Sequence, residues 1–315
     1  MKKVHSFELN AVPPYSFDLT VHKPAGWWWA TPYEIYEADV LWTAMRIREN
    51  LIGLKLESLG APMKPRIGCH VYSESEPREE LKGEAQRSIR RALRTDEDLN
   101  PFYEMALKDD ILRDVVQDLR GMRTQGWQDL FPALILAVTL QMAPMKRSNQ
   151  MMDLLLRSFG DRINFEGREV TYWPSPSKIA RTDEKDLWNV AKLGYRARNL
   201  KSIADELVGG FPTMEELSEM PYEEAKGRLM TLRGIGDYSA DLVIGRMGIP
   251  LDVWSAKIFH VLFFSKVPES PRESIPELRR VATQRWGEWA SHAFVYILND
   301  LRRISQRIGF DLTKF

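Results

Sequence analysis

Apolar and polar positions alternate along the first part of the chain. Ile52, Leu54 and Leu56 are separated by Gly53, Lys55 and Glu57, and Ile67, Cys69 and Val71 by Gly68, His70 and Tyr72. Phe17, Leu19 and Val21 repeat the pattern around Asp18 and Thr20. A period of two marks strands with one buried face. Gly60-Ala-Pro62 and Lys64-Pro65 supply turns between them. The pattern predicts an antiparallel sheet domain over about residues 1–75. From about Glu76 the period becomes helical. Glu79 to Arg94 carries the stripe Leu81, Ile89 and Leu93 and is broken by Thr95-Asp-Glu-Asp98. Leu130 to Met142 is apolar all round and reads as a buried central helix. Met151 to Phe159 is amphipathic and ends at Gly160. Further helices are predicted near 184–192, 197–208, 214–219, 222–230, 238–247, 255–264, 276–285 and 290–308. The fold class is therefore α+β, mostly α: an antiparallel sheet domain followed by an all-helical region over 76–315.

The stretch Leu232-Arg-Gly-Ile-Gly-Asp-Tyr-Ser-Ala-Asp-Leu-Val243 joins two of these helices. Gly234 and Gly236 flank Ile235 and permit a sharp turn with a close backbone approach. The free amides at the start of the second helix, near Ser239, can bind a phosphate. Such a turn grips a backbone without reading bases. Two glycines around an isoleucine also suit an ordinary helix–helix corner. The segment Gly248-Ile-Pro-Leu-Asp-Val-Trp-Ser255 follows, and Asp252 stands just before the next helix. An aspartate there is either an N-cap or an anion facing a pocket beside the turn. In the second case it would stabilise a positively charged sugar as a base departs, by the logic of glycoside hydrolysis, or orient water.

Composition narrows the field. The 315 residues hold one cysteine, Cys69, which excludes an intramolecular disulfide, a multi-cysteine zinc site and a four-cysteine iron–sulfur cluster. The five histidines are scattered, without metal-ligand spacing. No apolar run is long enough for a membrane span. Met1 to Phe17 does not read as a signal peptide, so a reducing cytoplasmic or nucleoid location is expected, nuclear if the source is eukaryotic. Formal net charge is zero, which argues against binding nucleic acid by bulk charge but leaves room for a local phosphate site.

Several segments, in order, resemble the helix-hairpin-helix DNA glycosylase superfamily, in the branch of 3-methyladenine DNA glycosylase II and 8-oxoguanine DNA glycosylase. They are Asp96-Glu-Asp-Leu-Asn-Pro-Phe-Tyr103, Leu119-Arg-Gly-Met-Arg123, Ala137 to Met142, Gly194-Tyr-Arg-Ala-Arg198, the hairpin with Asp252, and Trp286-Gly-Glu-Trp289 with Ala290-Ser-His-Ala293. The resemblance implies a helical glycosylase core in two subdomains flanking a cleft, about 125–230 and 231–315 with 76–124. It implies Asp252 as the catalytic carboxylate. Tyr238, Trp254 and Phe294 would form the base pocket, and Gly234, Ile235, Gly236, Ser239, Gln141 and Met142 the DNA contacts. The backbone carbonyls of Met230, Leu232 and Ile235 would hold a sodium or potassium ion, with no other cofactor required. Met142 would fill the gap left by an extruded nucleotide, its alternative being a core methionine at a helix end. Tyr238 stands where bifunctional relatives have a lysine nucleophile. This predicts a monofunctional enzyme, with the aromatic ring stacking on cationic alkylated purines; the alternative is that Tyr238 only packs between helices. Lys257 and Lys266 are the nearest candidates for a displaced lysine.

Other details depart from the family pattern. Asp237 puts an anion at the mouth of the phosphate turn. Leu298 replaces an aromatic wall, for which Phe294 and Tyr296 are candidate substitutes. Trp27-Trp-Trp29 is expected to lie outside the lesion pocket. The partner implied is double-stranded DNA bearing a damaged base, bound by a monomer. The preferred substrate is an alkylated purine, then hypoxanthine, then 8-oxoguanine. The competing readings are a non-catalytic DNA clamp and a helical interaction protein that does not bind DNA.

Overall fold

The computed structural model describes residues 1–75, 78–124, 126–245 and 249–315. Glu76, Met247 (the expected end of the hairpin's second helix) and Gly248 lie outside the described residues. The first strands form one antiparallel sheet from β1 (Lys2–Asn10), β2 (Ile35–Glu37), β3 (Val40–Ile47), β4 (Asn50–Ser58) and β5 (Arg66–Ser73), in the order β1-β5-β4-β3-β2. Leu54 pairs with both Thr43 and Val71, and Leu56 with Leu41 and Cys69. The alternating apolar residues therefore stack on one face and are buried there.

Two expectations for this region are corrected. Phe17–Val21 is a short helix rather than a strand. Ser16 caps it by accepting the Leu19 N–H at 3.3 Å, and Phe17, Thr20 and Val21 are its buried residues. Over five residues, a period of two and the i, i+3, i+4 spacing cannot be told apart. The strands β1, β2 and β3 were not expected individually; β1 is an edge strand with only Leu9 fully buried. Its polar composition suits an edge and hides the period.

The helical region is not wholly helical. A hairpin, β6 (Asp161–Phe165) and β7 (Arg168–Tyr172), interrupts it and packs on the sheet. Phe165 lies over Gly53, where an added Cβ would stand 2.8 Å from its ring. The long C-terminal helix expected over 290–308 is two, Ala290–Asn299 and Leu301–Ile308, with Asp300 out of helical geometry between them. Pro271–Trp286 begins earlier than expected because Pro271 is tolerated in the first turn. Among the described residues, no helix is long and apolar enough to cross a membrane.

Two apolar cores result. The first joins the sheet to the central helix Leu130–Leu140, buried from Leu130 to Thr139, and reaches Val243. The second is built from residues between Leu99 and Met122 and between Ile249 and Leu312. Side chains from both cores line a cavity on the seam between them.

Candidate active site

The helices Tyr222–Met230 and Asp237–Ile244 are joined by a tight turn. Gly234 has φ +79°, a conformation that glycine adopts without strain. The Ile235 N–H donates to Leu232 O at 3.0 Å, and the buried Ile235 side chain anchors the loop while Gly234 and Gly236 stay exposed. The turn is braced from two sides. Gln141 Nε2 donates to Gly234 O at 2.6 Å and to the Ser239 hydroxyl at 3.1 Å. Asn199 packs beneath Gly234, so a Cβ there would meet its Nδ2 at 2.3 Å. Gly234→Ala should therefore force a shift costing about 1–3 kcal/mol, seen as a ten- to hundredfold rise, roughly, in the Kd for duplex DNA. Gly227→Ala, with nothing within 4 Å of the added Cβ, is the control, and equal Kd values for the two variants would refute the turn's role.

Asp237 does not present an open negative charge to a phosphate. It pairs with Lys226 Nζ at 2.6 Å and with Arg279. Burial opposes its ionised form, but the hydrogen bonds from these two cations outweigh it and hold its carboxyl below the usual range. Asp241, on the next turn, shares Lys226 at 2.8 Å and accepts from the Tyr222 hydroxyl at 2.6 Å.

Met142 projects beside the hairpin. It follows the central helix with φ +46° and is 86% exposed, so the reading of it as a core methionine does not hold. Arg196 donates to the carbonyl of Gln141, fixing the turn from which Met142 projects.

Asp252 is both an N-cap and a cavity residue. It caps the helix Val253–Phe264, where its Oδ1 accepts from the Ser255 N–H and hydroxyl, each at 2.7 Å, and its own N–H donates to Ser255 Oγ at 2.9 Å. Among the described residues Oδ2 has no hydrogen bond and no cation pairs with the carboxylate. Asp252 and Tyr238 line the same cavity, of about 150 Å³, with Trp254 and Phe294. Burial, with the Asp252 charge adding to it, pushes the Tyr238 phenol well above its ordinary value, so the ring is held neutral. Phe294 stacks on Phe259 at 5.4 Å between centroids. Leu298 is part of the wall, whereas Tyr296 is in the core, its hydroxyl donating to Met122 O at 2.7 Å. Lys257 sits over the Phe315 ring, and neither it nor Lys266 is among the residues lining the cavity.

The tryptophan triplet is where the sequence reading fails most. Trp27 and Trp28 line the cavity, and only Trp29 is buried away in the core. Trp127 and Trp173, unassigned from sequence, complete an aromatic wall. Trp173 is fixed by a bond from its indole N–H to Ala30 O at 2.8 Å. Three consecutive tryptophans were the available signal; what sequence could not supply was the fold that carries this loop to the seam.

No family model matches the chain. Among curated proteins, it is 29% identical over 212 residues to a DNA-3-methyladenine glycosylase of Bacillus subtilis, covering 64% of this chain and 67% of that protein. It is 22% identical over 235 residues to a probable N-glycosylase/DNA lyase of Methanothermobacter thermautotrophicus, covering 65% and 71%. Among solved structures, the 3-methyladenine DNA-glycosylase of Archaeoglobus fulgidus superposes with a TM-score of 0.74 at 18% identity, over 95% of this chain and 99% of that one.

Proposed function

We propose that the chain, similar in sequence and fold to DNA glycosylases, is a base-excision repair enzyme of the helix-hairpin-helix glycosylase superfamily, monofunctional, which extrudes a damaged base and hydrolyses its N-glycosidic bond with Asp252. Alkylated purines are the first substrate class, hypoxanthine the second and 8-oxoguanine the third. The carrying observation is the shared cavity: a carboxylate with one oxygen that has no hydrogen bond among the described residues and a neutral tyrosine line one aromatic chamber beside the hairpin.

The roles follow from the chemistry. The hairpin amides hold a phosphate of double-stranded DNA, and Met142 enters the space vacated by the extruded nucleotide. Stacking against Tyr238 and the tryptophans replaces the stacking lost in the duplex, most favourably for a cationic base. As the base leaves, Asp252 Oδ2 faces the developing positive charge on the sugar or orients the attacking water. A sodium or potassium ion would be held by the carbonyls of Met230, Leu232 and Ile235 and would add positive charge to the phosphate grip. Leu232 O keeps a lone pair for such an ion beside its bond to Ile235 N–H. The enzyme acts as a monomer.

A panel of duplexes, each with one defined lesion, tests this reading. Free base should be released from alkylated-purine duplexes, with no covalent protein–DNA adduct trapped by borohydride. A trapped adduct would sink the monofunctional assignment, and no release from any duplex would leave the clamp reading in its place.

A further inference from the structure

Lys23 lines the same cavity as Asp252, yet comes from the loop after the short helix Phe17–Val21. It is 3% exposed, and among the described residues its Nζ makes one hydrogen bond, to Thr20 O at 2.6 Å. Among the described residues no carboxylate pairs with it. A buried ammonium without an ion-pair partner is costly. Burial holds the Lys23 pKa down to about 7, against the attraction of Glu34 and with the repulsion of Arg94. Thr124 lines the same cavity, and its buried hydroxyl has no partner among the described residues. The other charged lining groups are engaged or distant: Asp241 is held by Lys226, Arg279 and Tyr222. The Asp252 charge acts on Tyr238, whereas the charges acting on Lys23 are Glu34 and Arg94. Lys23 thus reaches the chamber from the N-terminal loop that also brings Trp27 and Trp28, whereas Asp252 reaches it from the loop after the hairpin.

We infer that Lys23, assisted by the Thr124 hydroxyl, receives the acceptor edge of a neutral extruded keto-purine and protonates it as the glycosidic bond breaks. This deepens, and rests on, the glycosylase reading above. A cationic alkylated base takes the electron pair of the C1′–N bond and leaves neutral, without an acid. A neutral purine takes the same pair and would leave as an anion. The Lys23 ammonium gives it a proton on a ring nitrogen or carbonyl oxygen, and the residue becomes a neutral amine, which its apolar surroundings favour. Water adds its oxygen to C1′ and releases a proton to solvent, from which Lys23 is recharged. One pocket then handles both charge classes of base, by stacking alone in one case and by stacking with an acid in the other.

The test compares release of hypoxanthine and of 7-methylguanine by the full chain and by Lys23→Met between about pH 6 and 8.5. In the parent, hypoxanthine release should fall about tenfold per pH unit above about 7, a limb absent for 7-methylguanine. Lys23→Met should lower hypoxanthine release at about pH 6 by at least roughly tenfold and flatten its profile. Its release of 7-methylguanine should fall at least roughly fivefold less than its release of hypoxanthine, and a melting temperature no more than about 2 °C below the parent's shows that the variant folds. Equal loss on both bases, an unchanged hypoxanthine profile, or a parent that releases 7-methylguanine alone overturns the role of Lys23. A parent that releases neither overturns the glycosylase reading as well.

Discussion

Asp252→Asn is expected to bind a lesion-bearing duplex as the parent does, and to release base about 10²- to 10³-fold more slowly. The substitution separates the two jobs of this residue. Asparagine is as good an N-cap as aspartate, and its side-chain oxygen can still accept the Ser255 N–H and hydroxyl that Oδ1 accepts now. The helix start, the cavity wall and the hairpin should persist. What disappears is the negative charge on the oxygen that carries no hydrogen bond among the described residues, a charge that the proposed mechanism needs only in the transition state. Single-turnover release measured beside equilibrium binding checks this. Unimpaired release would remove Asp252 from the chemistry, and lost binding would show its role to be structural.

The second large effect is on stability. Arg123→Met should lower it by about 3–5 kcal/mol, or roughly 5–10 °C in a thermal melt. Arg123 is wholly buried, and its guanidinium reaches four carbonyls in two segments distant in sequence. Nη2 donates to Val12 O at 2.8 Å and to Glu97 O at 2.9 Å, Nη1 to Pro14 O at 3.0 Å, and Nε to Arg94 O at 3.2 Å. The carboxylate of Glu97 lies 3.8 Å away, and the Tyr15 ring 5.0 Å from the guanidinium. Removing the fork orphans several buried carbonyls at once. Lysine cannot replace it, because one ammonium cannot reach a planar set of acceptors. A melt within about 2 °C of the parent would mean that these carbonyls find other partners and that the clamp is dispensable.

The two residues also show what sequence can and cannot carry. The hairpin, the helix that follows it and Asp252 lie within about thirty residues of one another, so turn chemistry and helix starts reveal them locally. Arg123 is visible as the end of a recognisable segment, but its role is not, since its partners lie near residues 12–14 and 94–97. The cavity walls are harder still. Lys23 with Trp27, Trp127 and Trp173 come from three separated stretches, and nothing local to any of them shows that it lines a cavity. The short helix at Phe17–Val21 and the hairpin Asp161–Tyr172 were missed for a different reason: a few residues give too little periodicity to choose between states.

The turn at Met142 has a consequence for association. Its left-handed backbone is unfavourable for a side chain with a Cβ, yet the bond from Arg196 to Gln141 and the Gln141 amide on the hairpin hold it before any duplex arrives. If Met142 enters the duplex as proposed, its side chain is already cocked in the free protein. The entropy of ordering that loop is lost during folding and need not be lost again at the encounter.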